Sequence, residues 1–203
     1  MSKKIKLSLI VSCLGLGLVL TLLLVETRRV PSDTAVSRPD IGGAFSLIDH
    51  DGVRVSDADY AGRPLLIYFG FTYCPDVCPL SLDIMGAALQ HLQKTAPEKE
   101  ARLQPLFISV DPARDTPAQM KDYVSYFHPR LIGLTGTPEQ IDAVKKAFRV
   151  YAAKTPGADE NGNYNVDHSS FFYLMDGRNR YIAHFSHTMA APDIAAGIAA
   201  KLP

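Results

Sequence analysis

Two kinds of apolar pattern alternate along this chain. Pro64-Leu65-Leu66-Ile67-Tyr68-Phe69-Gly70-Phe71 and Leu106-Phe107-Ile108-Ser109-Val110 are short and nearly unbroken. Such runs are expected of strands buried on both faces. Between and after them, apolar residues recur three or four positions apart: Leu80, Ile84, Met85, Leu89 and Leu92, then Met120, Tyr123 and Phe127, then Val144 and Phe148, then Ile194 and Ile198. That spacing predicts helices over Leu80–Gln93, after Thr116, after Thr137, and over Pro192–Leu202. Thr116 with Gln119 and Thr137 with Gln140 form capping boxes, and Pro117 and Pro138 fall at first helical positions.

The remaining segments complete an order. Phe45–Asp49 and Val53–Val55 flank His50-Asp51-Gly52, a hairpin pattern with glycine at the tight position. Leu131–Leu134 and Arg149–Ala153 read as short strands, and Lys154–Asn163 as a Gly/Asn-rich loop. Val166–Met175 reads as one strand, joined by the turn Asp176-Gly177-Arg178 to a hairpin partner, Tyr181–Phe185. Buried strands alternating with helices predict an α/β layer fold. The terminal hairpin and helix, and two cysteines where the first buried strand meets its helix, describe a thioredoxin-like arrangement with an N-terminal β-hairpin.

The start of the chain differs in kind. Lys3, Lys4 and Lys6 precede an uncharged run of 19 residues, Leu7 to Val25, and Glu26, Arg28 and Arg29 end it. As a helix the run would span about 28 Å, close to a bilayer's hydrocarbon core. It is long for a signal-peptide core, and no A-x-A-like cleavage site follows. We therefore expect one uncleaved transmembrane helix over residues 1–25, a polar tether over 26–41, and one domain over 42–203. Ile10-Val11-Ser12-Cys13 resembles a lipoprotein cleavage box, but the apolar run continues well past it. Lysines before the run weakly favour a cytoplasmic N-terminus, with the domain outside the cytoplasm.

All 21 acidic residues lie after Val25, with 18 of the 21 basic ones, so that part carries about −3. That balance offers no nucleic-acid surface. The two cysteines of that part, Cys74 and Cys78, are too few for a disulfide-stapled scaffold, and a domain of this size needs no staple.

Chemistry concentrates in Phe71-Thr72-Tyr73-Cys74-Pro75-Asp76-Val77-Cys78-Pro79. With a helix starting near Cys78, the turn can bring both sulfurs to one side. The helix N-terminus supplies free N–H groups and partial positive charge, which favour thiolate. Thiol oxidoreductases typically place two residues between their cysteines, and here there are three. The wider loop can still close a disulfide if the Cα atoms come within about 7 Å, and it suits two sulfurs gripping one soft cation. Redox, metal and structural readings all stay open on this spacing alone.

A third ligand shifts the balance. His91 falls on the polar side of its helix, His50 in a turn and His128 at a helix end, while His184 and His187 could pair near a hairpin end. His168 follows the Gly/Asn-rich loop, opens a strand and sits beside Asp167. Strand ends and loops are where an α/β fold places its site. Two thiolates and an imidazole form a soft set suited to Cu(I), and to Cu(II) with small adjustment. Zinc would want a fourth ligand, and Mg²⁺ would prefer oxygen.

Tyr73-Cys74-Pro75-Asp76-Val77-Cys78-Pro79, Ser109-Val110-Asp111-Pro112-Ala113-Arg114-Asp115-Thr116-Pro117 and Val166-Asp167-His168-Ser169 together resemble the Sco/SenC family. The resemblance covers Gly42 to Leu202 and the single N-terminal anchor. It implies a membrane-anchored, thioredoxin-like copper chaperone that assists assembly of the binuclear copper (CuA) site of cytochrome c oxidase. It implies one copper ion per chain, Cu(I) or Cu(II), with Cys74, Cys78 and His168 as ligands. The copper-bearing subunit of the oxidase and another copper chaperone are the implied partners. The implied setting is a bacterial inner membrane with the domain in the periplasm. Asp111 and Asp115 are expected to cap a turn and pair with Arg114, or Asp111 to orient a ligand or partner. The rival reading is a thiol–disulfide reductase that keeps the oxidase cysteines reduced through a Cys74–Cys78 disulfide. A peroxiredoxin fits less well, lacking the Thr and Arg neighbour pattern, and a copper sensor is a third possibility.

Overall fold

In the structure, a computed structural model, residues 41–155 and 164–203 are described. The expected anchor, Cys13, nearly all of the tether and most of the Gly/Asn-rich loop lie outside the described residues. Among the described residues no helix is long and apolar enough to cross a membrane.

The two apolar runs form strands β3 (Leu65–Gly70) and β4 (Gln104–Ser109), every residue of which is buried. They pair in parallel, Leu65 opposite Gln104 through Gly70 opposite Ser109. The hairpin β1 (Ser46–Asp49) and β2 (Arg54–Ser56) forms where Gly52 supplies a positive φ of 82°. It docks on the far edge of β5 (Ile132–Thr135), which continues the parallel set beside β4. On the other side, β8 (Phe171–Met175) runs antiparallel to β3, and β9 (Tyr181–Ser186) antiparallel to β8. The sheet order is β2-β1-β5-β4-β3-β8-β9.

Helices cover both faces. Tyr68 and Phe69 point to opposite sides of β3. On the Tyr68 side lie α1 (Val77–Thr95), with Cys78 under Gly70, and α3 (Pro117–Val124), whose Tyr123 meets Phe107. On the Phe69 side, Phe148 at the end of α4 (Pro138–Phe148) packs against Phe69 and Tyr173. The last helix, α5 (Ala191–Lys201), brings Gly197 against the ring of Phe185. Both N-caps form, Thr116 Oγ1 accepting from Gln119 N and Thr137 Oγ1 from Gln140 N. Of the two expected boxes the one at Thr137 closes, its N donating to Gln140 Oε1, while at Thr116 the N-cap bond forms without the box.

Several expectations change. The strand expected over Val166–Met175 is two strands. β7 (Val166–His168) leaves the main sheet and pairs with β6 (Ala152–Lys154) in a separate ribbon. The break falls at Ser169–Ser170, whose polar groups bond elsewhere. Ser169 N donates to Tyr151 O, Ser169 Oγ accepts from Tyr151 N, and Ser170 O accepts from His187 N. The strand expected at Arg149–Ala153 starts later, because Arg149 ends α4 in the left-handed region at φ 54°. Phe127 lies beyond the end of α3. A short helix, α2 (Pro97–Arg102), and a 3-10 turn at Asp57–Tyr60 appear where no periodicity announces them. Both are too short to show a repeat.

Candidate metal and thiol site

The site lies at the carboxyl ends of β3 and β4, where an open α/β sheet places ligands. Val110 N donates to Gly70 O across these ends at 2.8 Å. Gly70 is a requirement of packing: a Cβ there would lie 2.7 Å from Cys78 Sγ and 2.9 Å from the Phe107 ring. The strand can therefore approach α1 only without a side chain at this position.

From Gly70 the chain turns through Phe71–Asp76 into α1. Asp115, fully buried, holds that turn from the neighbouring loop. Its carboxylate accepts from Thr72 N at 3.2 Å, Thr72 Oγ1 at 2.7 Å and Ser109 Oγ at 2.6 Å. Burial nevertheless raises its pKa, because the site is desolvated. Asp115 is thus the fixture of the cysteine turn rather than a partner of Arg114.

The two thiols have different settings. Cys78, in the first turn of α1, is fully buried, whereas Cys74 is half-buried. Both are free. Cys78 N donates to Cys74 Sγ at 3.4 Å, so the helix N-terminus bears on the outer sulfur. The hydrogen bond from the Cys78 thiol is the largest cause holding Cys74 low, at about 4, with burial opposing it and the N–H groups of Asp76 and Cys78 adding to it. The same bond, with burial, pushes Cys78 far up. The pair therefore shares one proton, held on the inner sulfur.

His168 reaches this pair from 90 residues away, its Nε2 3.4 Å from Cys78 Sγ. Its Nδ1 lies 3.1 Å from Ser169 O, which can only accept, so Nδ1 carries hydrogen. In the neutral ring Nε2 is then bare and faces sulfur, the tautomer a metal would need. Tyr68 and Phe71 meet the imidazole edge-on, at 6.1 and 5.9 Å between centroids. Two sulfurs and a bare imidazole nitrogen in an aromatic wall fit a soft ion of low coordination number. Among the described residues no group of three His, Cys, Asp or Glu side chains stands ready as a metal cage. The two sulfurs and the imidazole have one thiol hydrogen between them, on Cys78, and an entering ion would replace it.

Asp111 stands one layer away. It is 3% exposed; Oδ2 accepts from Arg114 Nε at 2.5 Å and Oδ1 from Tyr164 OH at 2.7 Å. The expected pairing with Arg114 is therefore made by Asp111 alone. Tyr164 is a site residue that sequence reasoning missed: a tyrosine four positions before His168 was the only signal. The other histidines have separate work. His50 Nδ1 accepts from Gly133 N, and His128 Nδ1 accepts from Arg130 N. His184 bonds Tyr181 and His187 bonds Ser170 O, so these two do not form a ligand pair.

Known proteins share this architecture. A SCO1/SenC family model matches residues 33–202. Protein sco1 of Schizosaccharomyces pombe is 46% identical over 164 residues, which cover 80% of this chain and 61% of that protein. The chain thus spans about three-fifths of that relative. The crystal structure of Arabidopsis thaliana ScoI with copper bound is 41% identical at a TM-score of 0.74, covering 79% of this chain and 97% of that one. Bradyrhizobium japonicum ScoI with copper bound is 43% identical at 0.71, covering 80% and 99%. BsSco, described as a Sco-family cytochrome c oxidase assembly protein with a disulfide switch, is 25% identical at 0.59, covering 78% and 91%. With a family model spanning most of its length and the fold shared with these Sco structures, the chain belongs to the SCO1/SenC family.

Proposed function

We propose that this chain binds one copper ion through Cys74, Cys78 and His168 and delivers it during assembly of the CuA site of cytochrome c oxidase. One observation carries the reading. An imidazole nitrogen from a separate ribbon, its tautomer fixed by Ser169 O, meets the buried sulfur of a helix-start cysteine pair at 3.4 Å. A pair built only for disulfide exchange needs no such third donor. The Sco structures that hold copper support the same choice of metal.

The residues divide the work. Cys74 enters as a thiolate. Cys78 gives up the shared proton, leaving two thiolate donors that suit Cu(I) and still accept Cu(II). His168, held by the ribbon rather than by the main sheet, is the donor that can leave first when the cargo passes to an acceptor. The acceptor we infer is the copper-bearing oxidase subunit. The apolar segment Leu7–Val25 would tether the domain at the periplasmic face of a bacterial inner membrane.

The test is stoichiometry. The full chain, loaded with Cu(I) under reducing conditions, should hold one copper; His168→Ala should hold it weakly, and Cys74→Ala/Cys78→Ala should hold none. A double-cysteine variant that still binds one copper tightly overturns the site.

A second reading rests on the asymmetry of the thiols. A low-pKa outer Cys74 beside a proton-holding inner Cys78 is the arrangement of an attacking and a resolving thiol. The Cys74 thiolate would attack a partner disulfide and release one partner thiolate. Cys78 would then displace the second, transferring two electrons and leaving a Cys74–Cys78 disulfide. His168→Ala should spare this reaction and impair copper retention, which separates the two readings.

A further inference from the structure

The ribbon that carries His168 is built from two three-residue strands outside the main sheet. Such a ribbon is marginal by itself. Its register, Ala152 opposite His168 through Lys154 opposite Val166, fixes where His168 lies along the ribbon. It does not fix where the ribbon lies against the cysteines. Val166, buried in the core, and the His168 ring against Tyr68 and Phe71 supply part of that second constraint, and Tyr164 supplies its polar part.

We propose that Tyr164 is a positioning residue for His168, and that Arg114 makes it one end of a latch between the histidine ribbon and the cysteine turn. Three contacts build the latch. The Tyr164 hydroxyl donates to Asp111 Oδ1 at 2.7 Å, and this carboxylate is buried. Asp111 is itself fixed, its N–H donating to Ser109 Oγ at 3.0 Å at the end of β4. The Arg114 guanidinium lies 3.7 Å from the centre of the Tyr164 ring and 4.9 Å from the Tyr73 ring. Tyr73 immediately precedes Cys74, and Tyr164 stands four residues before His168. One cation thus touches both approaches to the site.

The chemistry of Arg114 favours this role. Asp111 takes its Nε, and its Nη2 is buried with no hydrogen bond among the described residues. What holds the planar cation is therefore aromatic faces and one carboxylate. On the ribbon side, Lys154 of β6 brings its Nζ to 4.0 Å over the Tyr164 ring. The ring consequently bridges β6 to Arg114, and the hydroxyl bridges the same segment to β4. Releasing the latch should let the ribbon swing while the cysteines stay in place.

This inference rests on the copper reading, but its test does not rest on it alone. Tyr164→Leu removes ring and hydroxyl, and Tyr164→Phe removes the hydroxyl only. In the metal-free full chain, Tyr164→Leu should raise amide exchange about tenfold in residues 152–154 and 166–169 and leave β8 unchanged. In the copper-loaded chain, release to a competing chelator should accelerate about tenfold in Tyr164→Leu and less in Tyr164→Phe. Added to His168→Ala, Tyr164→Leu should accelerate release no further, because the latch acts through that imidazole. Unchanged exchange in the ribbon, or equal acceleration in the His168→Ala background, overturns the latch. A wild-type chain that takes up no copper, with the ribbon still loosened by Tyr164→Leu, overturns the copper reading and leaves the latch in place.

Discussion

The cysteine turn and the histidine ribbon meet at one site but are held in opposite ways. The turn is anchored in the main sheet: Asp115 bonds Thr72 twice, Cys78 is fully buried, and Gly70 lets the strand press on the sulfur. The ribbon has a short register of its own and touches the rest of the fold through side chains such as Tyr164. A donor on a rigid element keeps its geometry, whereas a donor on a marginal one can be withdrawn at small cost. A protein that must first hold a metal and then surrender it is well served by having both.

That contrast can be broken at its strongest point first. Cys74→Ala/Cys78→Ala should abolish specific copper binding, read by metal analysis after gel filtration. His168→Ala should retain binding at an affinity lowered by more than the roughly 10–100-fold typical of losing an outer partner. Competition with a Cu(I) chelator measures it. Equal losses in the two variants would mean that ribbon and turn are not distinct. Asp115→Ala should destabilise the domain by about 3 kcal/mol, since it strands the buried Ser109 hydroxyl and the part-buried Thr72 donors, and urea unfolding would show it. Gly70→Ala should cost about 1–3 kcal/mol by overpacking Cys78 and Phe107, read the same way. If Asp115→Ala proved neutral, the turn would be no better fixed than the ribbon.

The smallest expected effect concerns pH. An ordinary thiol alkylates about tenfold faster for each unit of rising pH below its pKa. Cys74, with a folded pKa of about 4 against an ordinary 9.0, is already thiolate at neutrality. Its alkylation rate should be nearly flat from pH 6 to 8 and fall only as pH drops through about 4. The sign for stability is the same: the folded state favours the Cys74 thiolate, so this contribution is full above pH 9 and is lost as pH falls toward 4. A rate still rising steeply above pH 7 would show the sulfurs to be unlinked.

Much of the frame was legible in the chain itself. The unbroken apolar runs at Leu65–Gly70 and Leu106–Ser109 became the two central strands, and the Thr-Pro caps at Thr116 and Thr137 opened their helices. The division of Val166–Met175 was not legible. Both halves carry strand-forming residues, and the break at Ser169–Ser170 arises from partners far away, Tyr151 and His187. Tyr164 was invisible for the same reason, since its hydroxyl partner lies 53 residues earlier.

The sequence alone determined the order of elements and the donor atoms, because a buried strand, a capped helix and a C-x-x-x-C at a helix start are patterns among near neighbours. Only the tertiary structure decided what those donors are. The neighbouring inner thiol and the helix N–H groups hold Cys74 low, while the neighbouring sulfur and burial push Cys78 up. A carbonyl beside a ribbon fixes the His168 tautomer. A buried aspartate 43 residues from Thr72 sets the turn. Protonation and position depend on desolvation and on contacts between distant segments, and those exist only once the chain has folded.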